Sequence, residues 1–323
     1  MTSNPTRTRP TAVNQPTPRY YDFKTYLTRT FGCKIHRISL DAHLSCPNRD
    51  GTVSTLGCIF CDDHGSGTGL ARQGLSLTEQ IRTLKQGLSR RFKVSKFVAY
   101  FQSYTNTYAP MPRLRQLYDE ALADPDIVGL FIGTRPDCVS PEVAALLAEY
   151  ARTHLVWLEL GLQSAHDRTL ALINRGHTFA DFVTAVTRLQ GTGVQICAHV
   201  ILGLPGESAD DMMATAQHLS ALPVAGVKIH LLYIVKGTAL DQMYLRGEYQ
   251  PLTRAAYVRL VGDFLGYLRP EMVVMRLTGD PPREFLRAPT WALEKQRNLE
   301  EIKGDLTERD LWQGKFYDVS TRG

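Results

Sequence analysis

The sequence predicts an α/β fold. Three observations carry that prediction: short apolar runs alternate with helical patterns, several patterns start with helix caps, and 323 residues can bury a substantial core. The strand candidates are KIHRISL (34–40), KFVAYFQ (96–102), IVGLFIG (127–133), HLVWLEL (154–160), VQICAHVIL (194–202) and GVKIHLLY (226–233). Between them, helical patterns fall at about 76–91, 113–123, 141–152, 167–173, 179–191 and 208–221. Ser208 with Asp211 resembles a capping box, and Ser140–Pro141 sets a cap before a proline at the first helical position. Such repeats predict parallel strands wound by right-handed crossovers. Six units are too few to close an eight-stranded barrel. The expected architecture is a partial (β/α)6, TIM-like barrel of parallel strands, its sheet open and curved unless two further strands exist.

The ends read differently. Residues 1–19, rich in Thr, Pro and Arg, have almost nothing to bury and are expected to form a disordered basic tail. The core is expected over 20–250, with 251–323 a C-terminal extension packing on it. The extension holds helical patterns at 252–268 and 291–303, a candidate strand MVVMRLT (272–278) and the loop Gly279–Asp280–Pro281–Pro282.

With 43% hydrophobic and 21% charged residues the chain is of the ordinary globular kind. No apolar run approaches the roughly 20 residues of a membrane-crossing helix, and no signal-peptide pattern opens the sequence. A cytoplasmic protein with no membrane partner is expected, and in a reducing compartment clustered cysteines are more often metal ligands than disulfides. The net charge of +5 is uneven: residues 1–40 hold seven Lys or Arg against the single acid Asp22. A second basic stretch, Arg82, Lys85, Arg90, Arg91, Lys93 and Lys96, contains no acid. Such patches suit a polyanion such as RNA, and they equally describe a flexible tail and a solvated helix face.

Chemistry concentrates in SCPNRDGTVSTLGCIFCDDHG (45–65), which puts Cys46, Cys58 and Cys61 in one loop after the first strand. That is the carboxyl end, where parallel α/β sheets gather ligands. A structural zinc site wants four ligands, and His43 or His64 could supply the fourth. A dithiol redox pair leaves Cys46 unexplained. A cubane cluster usually takes four thiolates, so three leave one iron an open position. Cys33 precedes the first strand and belongs to its other end, while Cys138 and Cys197 read as small buried hydrophobes. Spacing alone leaves zinc and iron–sulfur both open.

The order of the cysteine loop, SYTNTYAP (103–110), LELGLQSAHDRTLALINRGH (158–177) and HVILGLPGES (199–208) resembles the radical S-adenosylmethionine superfamily. Within it, CPNRDG (46–51) and GCIFC (57–61) resemble the branch holding the Elongator catalytic subunit and its bacterial relatives, over residues 20 to about 305. The resemblance implies a [4Fe–4S] cluster on Cys46, Cys58 and Cys61. Its fourth iron would be chelated by S-adenosyl-L-methionine, whose reductive cleavage yields a 5′-deoxyadenosyl radical. An electron donor such as flavodoxin or ferredoxin is implied too. The cofactors carry that chemistry and the protein orients them.

The same resemblance distributes cofactor-binding roles. Phe60 lies near the adenine in relatives. Where the superfamily often has Gly-Gly-Glu for the methionine amino group, this chain reads Gln102-Ser103-Tyr104-Thr105-Asn106, so Ser103, Thr105 or Asn106 is expected there. Gln163 and Ser164 are expected near S-adenosylmethionine, with Arg175 pairing its carboxylate, since an Arg fork suits a carboxylate. GLPGE (203–207) matches an adenine-binding turn, with Gly203 and Gly206 admitting the ring and Ile201 at its edge. Glu159, with Gln163 and Ser164, follows the fourth strand, where polar side chains would face the ligand mouth. Arg135, Asp137, His199, Lys228, His230 and Tyr233 fall at or near strand ends and could line the substrate side; no catalytic residue is singled out. The leading expectation is a radical enzyme acting on tRNA at the wobble uridine, as Elongator-like relatives do, without an acetyltransferase domain. Radical chemistry on a small metabolite or protein is the alternative. A zinc-stabilised nucleic-acid-binding module using the three cysteines and His64 is the reading from another class.

Overall fold

The computed structural model describes residues 18–62, 70 and 73–318. The expected tail therefore falls almost wholly, and His64 wholly, outside the described residues. Arg19, the last residue of that tail, is tied down by Asp310 at 2.7 Å.

In chain order the elements begin with α1 (Phe23–Phe31), β1 (Ile35–Leu40), α2 (Leu77–Phe92), β2 (Lys96–Phe101), α3 (Met111–Leu122), β3 (Ile127–Thr134) and α4 (Pro141–Ala151). They continue with β4 (Leu155–Gln163), α5 (Asp167–Leu172), α6 (Phe179–Leu189), β5 (Gln195–Leu202), α7 (Ala209–Ala221) and β6 (Gly226–Leu231). The chain then adds β7 (Ile234–Val235), α8 (Ala239–Leu245), α9 (Arg254–Tyr267), β8 (Val273–Arg276), β9 (Leu286–Ala288) and α10 (Lys295–Glu308). Seven strands pair in parallel in the order β1-β2-β3-β4-β5-β6-β8, and β7 pairs antiparallel with β9. The sheet is thus an open, curled half-barrel. Its seventh strand comes from MVVMRLT, so the segment beyond Pro251 completes the sheet as well as packing on it.

Alternation within the strands gives the sheet two buried faces. Phe97, Ala99 and Phe101 of β2 join the core beneath the helices, while Val98 and Tyr100 point the other way, with Phe131, Trp157 and Cys197. Strands covered on both faces read as continuous apolar runs. That is why the runs were visible without a period-two pattern.

The inner group at the amino end is closed by α1, which sequence patterning did not predict. Asp22 caps it by accepting from the Thr25 amide at 2.9 Å, and Gly32 ends it at φ 67°. Phe23 packs edge-on against Phe131 (5.7 Å between centroids) and Tyr26 against Trp157 (5.4 Å). Leu27 fills the space between, and the half-barrel is stoppered at that end. Expected caps are present elsewhere: Ser208 and Asp211 form a reciprocal capping box, and Ser140 caps α4 ahead of Pro141.

Candidate active site

At the carboxyl ends of the strands lies a cavity of about 820 Å³, lined by Cys46, Cys58 and Cys61 together with side chains from every strand of the sheet. The cysteine loop is held there by a second loop. Asn48 Nδ2 donates to the Asn174 carbonyl (2.7 Å), Asn174 Nδ2 to the Gly57 carbonyl (2.7 Å), and the Ile59 amide to the Ile173 carbonyl (3.1 Å). Gly176 makes the closeness workable. It sits at φ 70°, and a Cβ there would meet Val53 Cγ1 at 2.7 Å and Asn48 Oδ1 at 2.8 Å.

Donors converge on the sulfurs. Cys58 Sγ accepts from Asn48 Nδ2 (3.5 Å) and Arg175 Nη1 (3.4 Å), and Cys61 Sγ from Arg49 Nη1 (3.4 Å). Burial, and next the neighbouring Cys58, push the Cys61 thiol up to about 12, so a thiolate there calls for a positive partner. Among the described residues no three His, Cys, Asp or Glu gather closely enough for a single metal ion. A cubane cluster spreads its thiolates over separate irons and asks for three sulfurs facing one space, which this loop provides. His43 is exposed and does not line the cavity, and Cys33 is exposed at the other end of β1. Cys197 is fully buried, but Cys138 is only partly buried, contrary to expectation.

Of the expected cofactor contacts, Phe60, Thr105, Gln163, Arg175 and Ile201 line the cavity with the cysteines. Ser103, Asn106, Ser164, Gly203 and Gly206 do not. Asn106 is committed to β3, donating from its backbone and side chain to the Gly133 carbonyl at 3.1 and 2.9 Å. Ser164 Oγ donates to Glu207 and so ties the turn after β4 to GLPGE. Gly203 accepts from Tyr249 Oη (2.8 Å) and packs under Leu252. Phe60 also packs beside Leu170, Ile173, Ile201 and Leu204, so it plugs the loop against the sheet as well as facing the cavity. Arg175 is 7% exposed, and its present bonds do not leave it free as a carboxylate fork: Nη2 and Nε donate to the Gly161 carbonyl at 2.7 and 3.1 Å while Nη1 reaches Cys58.

Deeper, Glu159 Oε2 accepts from Lys228 Nζ and from His199 Nε2 (2.8 Å). Lys228 also donates to Tyr100 Oη at 3.1 Å. Burial alone would push the Glu159 carboxyl up; Lys228 and His199 outweigh it and hold it well below the usual range. Burial, then Lys228, push His199 down to about 4, so its ring is neutral. Arg135 is pinned by Asp137 (2.9 and 2.8 Å) and braces the second loop through the Arg175 carbonyl (2.7 Å). His230 and Tyr233 line the cavity; Asp137 does not. Asn48, Arg49, Tyr104, His177 and Arg276 carry no role in the sequence reading. Asn48 and Arg49 sit two and three residues after Cys46, a signal that they belong to the cysteine loop, where they donate to the Cys58 and Cys61 sulfurs. The others are brought in by strand ends and turns that no spacing marks.

A half-barrel of parallel strands with a three-cysteine loop at its mouth defines a class, and the chain belongs to it. The family model of the radical SAM superfamily matches residues 51–219, and that of the radical SAM C-terminal domain residues 224–308. The protein is thus an iron–sulfur enzyme of a family that uses a [4Fe–4S] cluster and S-adenosylmethionine. It is 42% identical to YtqA of Bacillus subtilis (strain 168) over 93% of both chains. It is 30% identical to a tRNA uridine(34) acetyltransferase of Dehalococcoides mccartyi (strain CBDB1) over 50% of this chain and only 35% of that protein. In fold it is similar to the archaeal Methanocaldococcus infernus Elp3 with an N-terminal deletion, with a TM-score of 0.64 at 18% identity, covering 86% of this chain and 64% of that one.

Proposed function

We propose that Cys46, Cys58 and Cys61 hold the cluster, that S-adenosylmethionine occupies the adjoining cavity, and that the substrate is tRNA at its wobble uridine. The observation that carries the reading is the convergence of three cysteines from one loop on a single cavity, with Asn48 and Arg175 donating to the Cys58 sulfur and Arg49 to that of Cys61. When bound, the cluster and S-adenosylmethionine supply a 5′-deoxyadenosyl radical that removes a hydrogen atom from the substrate. The chain's own residues hold and shield. Asn48 and Asn174 lock the two loops, Arg175 fixes Cys58 against β4, and the α1 stopper keeps water from the amino end.

For tRNA, the support is likeness to a tRNA uridine(34) acetyltransferase over half the chain, together with the basic stretch. That stretch lies on α2, the turn after it and the first residue of β2, with α2 against the edge strand β1. Lys85 and Lys96 spend charge on Asp124 and Asp126, leaving Arg82, Arg90, Arg91 and Lys93 for phosphates. Since α2 runs antiparallel to the strands, its last turn lies away from the cavity mouth, and an RNA touching it would wrap along the open edge.

Anaerobically reconstituted protein should be brown, with about four iron and four sulfide per chain, and should release 5′-deoxyadenosine when reduced. Colourless protein with one tight zinc would overturn the enzyme reading, and cluster retention by Cys58→Ala would overturn the ligand assignment. For the substrate, tRNA nucleosides from deletion and parent cells are compared by mass spectrometry; identical profiles would count against tRNA.

A further inference from the structure

One layer below the cysteine loop sits a set of groups that the cluster does not need. Inward-facing residues of β4 run Trp157, Glu159, Gly161, Gln163 towards the mouth. Two residues of strand rise put Glu159 roughly 7 Å beneath Gly161, the residue that anchors Arg175 at Cys58. Glu159 and Lys228 are each 1% exposed and both line the cavity. Glu159 Oε2 is doubly bonded, but Oε1 is buried with no hydrogen-bond partner among the described residues. His230 Nε2 is in the same condition. A buried carboxylate oxygen without a donor is costly, and native sites rarely leave one bare.

The charge around this layer is lopsided in the other direction. Lys228 lies 4.3 Å above the Tyr100 ring and the Arg37 guanidinium 5.4 Å from it, with Arg276 lining the cavity nearby. Against these three cations, of which Arg37 lies outside the cavity lining, stand Glu159 and Asp280, the latter 3.2 Å from Arg276 Nη2. The third carboxylate on the cavity wall, Asp62, belongs to the loop at the mouth beside Cys61. Burial pushes both His199 and His230 down, so neither adds charge. A purely cationic ligand would satisfy Glu159 Oε1 and worsen the surplus. A purely anionic one would match the surplus and leave Oε1 bare. A ligand carrying both a charged donor and an anion answers both.

We infer that this layer is a substrate subsite for a small zwitterion of the α-amino-acid type. Its ammonium group meets Glu159 Oε1, and its carboxylate meets Lys228, His230 and Arg276. The inference deepens the reading of the cavity as the reaction chamber and rests on it, adding a small second substrate inside the half-barrel.

Binding is measured by isothermal titration calorimetry on iron-free and reconstituted protein, with S-adenosylmethionine present. The probes are the twenty standard α-amino acids, each beside the amine lacking its carboxylate and the acid lacking its amino group. At least one amino acid should saturate a single site, with its amine and acid counterparts weaker by roughly tenfold or more, because a site built for both groups rejects a ligand missing either. Glu159→Gln and Arg276→Gln should each weaken binding about tenfold. The Arg276 side chain is partly exposed, so its variant tests the carboxylate arm even if Glu159→Gln fails to fold. No binding by any amino acid, or equal binding by the Arg276 variant, overturns the subsite. Deoxyadenosine release in the same samples reports separately on the radical chamber. Release without amino-acid binding removes the subsite alone, whereas binding without release keeps it and removes the radical reading.

Discussion

Replacing Lys228 by Met keeps most of the side-chain volume and removes the cation facing Glu159. Both groups are 1% exposed, so the carboxylate is poorly hydrated where it lies, and His199 Nε2 at 2.8 Å remains its only strong donor among the described residues. Removing one partner of a buried pair costs about 3–5 kcal/mol, because the other charge stays buried. Unfolding entropy of about 2.1 cal/mol/K per residue over 323 residues gives about 0.7 kcal/mol/K, so the melting midpoint should fall by about 4–7 °C at pH 7. The pH dependence has a definite sign. In the parent, Glu159 is held below its unfolded value, so its stabilisation is present above the usual carboxylate range and is lost as pH falls through its folded value. In the variant, burial raises that carboxyl instead. The penalty is then full at pH 7 and relieved as acid protonates Glu159, and the gap between the two proteins should narrow towards pH 4–5. Circular-dichroism melts of iron-free protein at both pH values measure this. A loss under about 1 °C at pH 7, or a gap that widens in acid, would refute the argument that Lys228 compensates a buried charge. Glu159→Leu in the Lys228→Met background should recover most of the loss, since an apolar pair needs no compensation.

Leu27→Ala should cost about 2–5 kcal/mol by opening the stopper beneath Trp157, read as a lowered urea midpoint at unchanged slope. Gly161→Ala would set a Cβ 2.5 Å from Arg175 Nη2, so that flexible side chain must withdraw from Cys58. Cluster potentials depend on hydrogen bonds to sulfur, and the midpoint in an EPR-monitored redox titration should move negative; an unmoved midpoint removes Arg175 as a tuning group. Ser208→Ala, which breaks the reciprocal cap of α7, should lose about 0.5–2 kcal/mol in the same urea assay without changing iron content.

The strands were legible because both faces of this sheet are covered, so apolar runs such as HLVWLEL and VQICAHVIL are strand over all but their first residue. The α1 stopper was hidden for the opposite reason. FKTYLTRTF carries only a narrow apolar stripe, Phe23, Tyr26, Leu27 and Phe31, and nothing local says that a hollow at the amino end awaits it. The cysteine loop announced itself by residue type. The roles of Arg175 and Glu159 did not, because each depends on a neighbour far along the chain: Cys58 lies 117 residues from Arg175, and Lys228 lies 69 from Glu159. A resemblance could say that Arg175 stands in the site, but only geometry shows that it grips a backbone carbonyl and a sulfur.

Strands β1 and β8 end the sheet without pairing with each other, and α1 spans only the lower part of that seam. Above it the wall is finished by loop residues, among them Gln73, Asp280, Pro282 and Phe285. Among the described residues, the cavity wall over that seam is therefore framed without sheet hydrogen bonds. Insertions there could reshape what enters without disturbing strand register or the cysteine loop. In such a scaffold the cysteine loop can be kept while the seam varies.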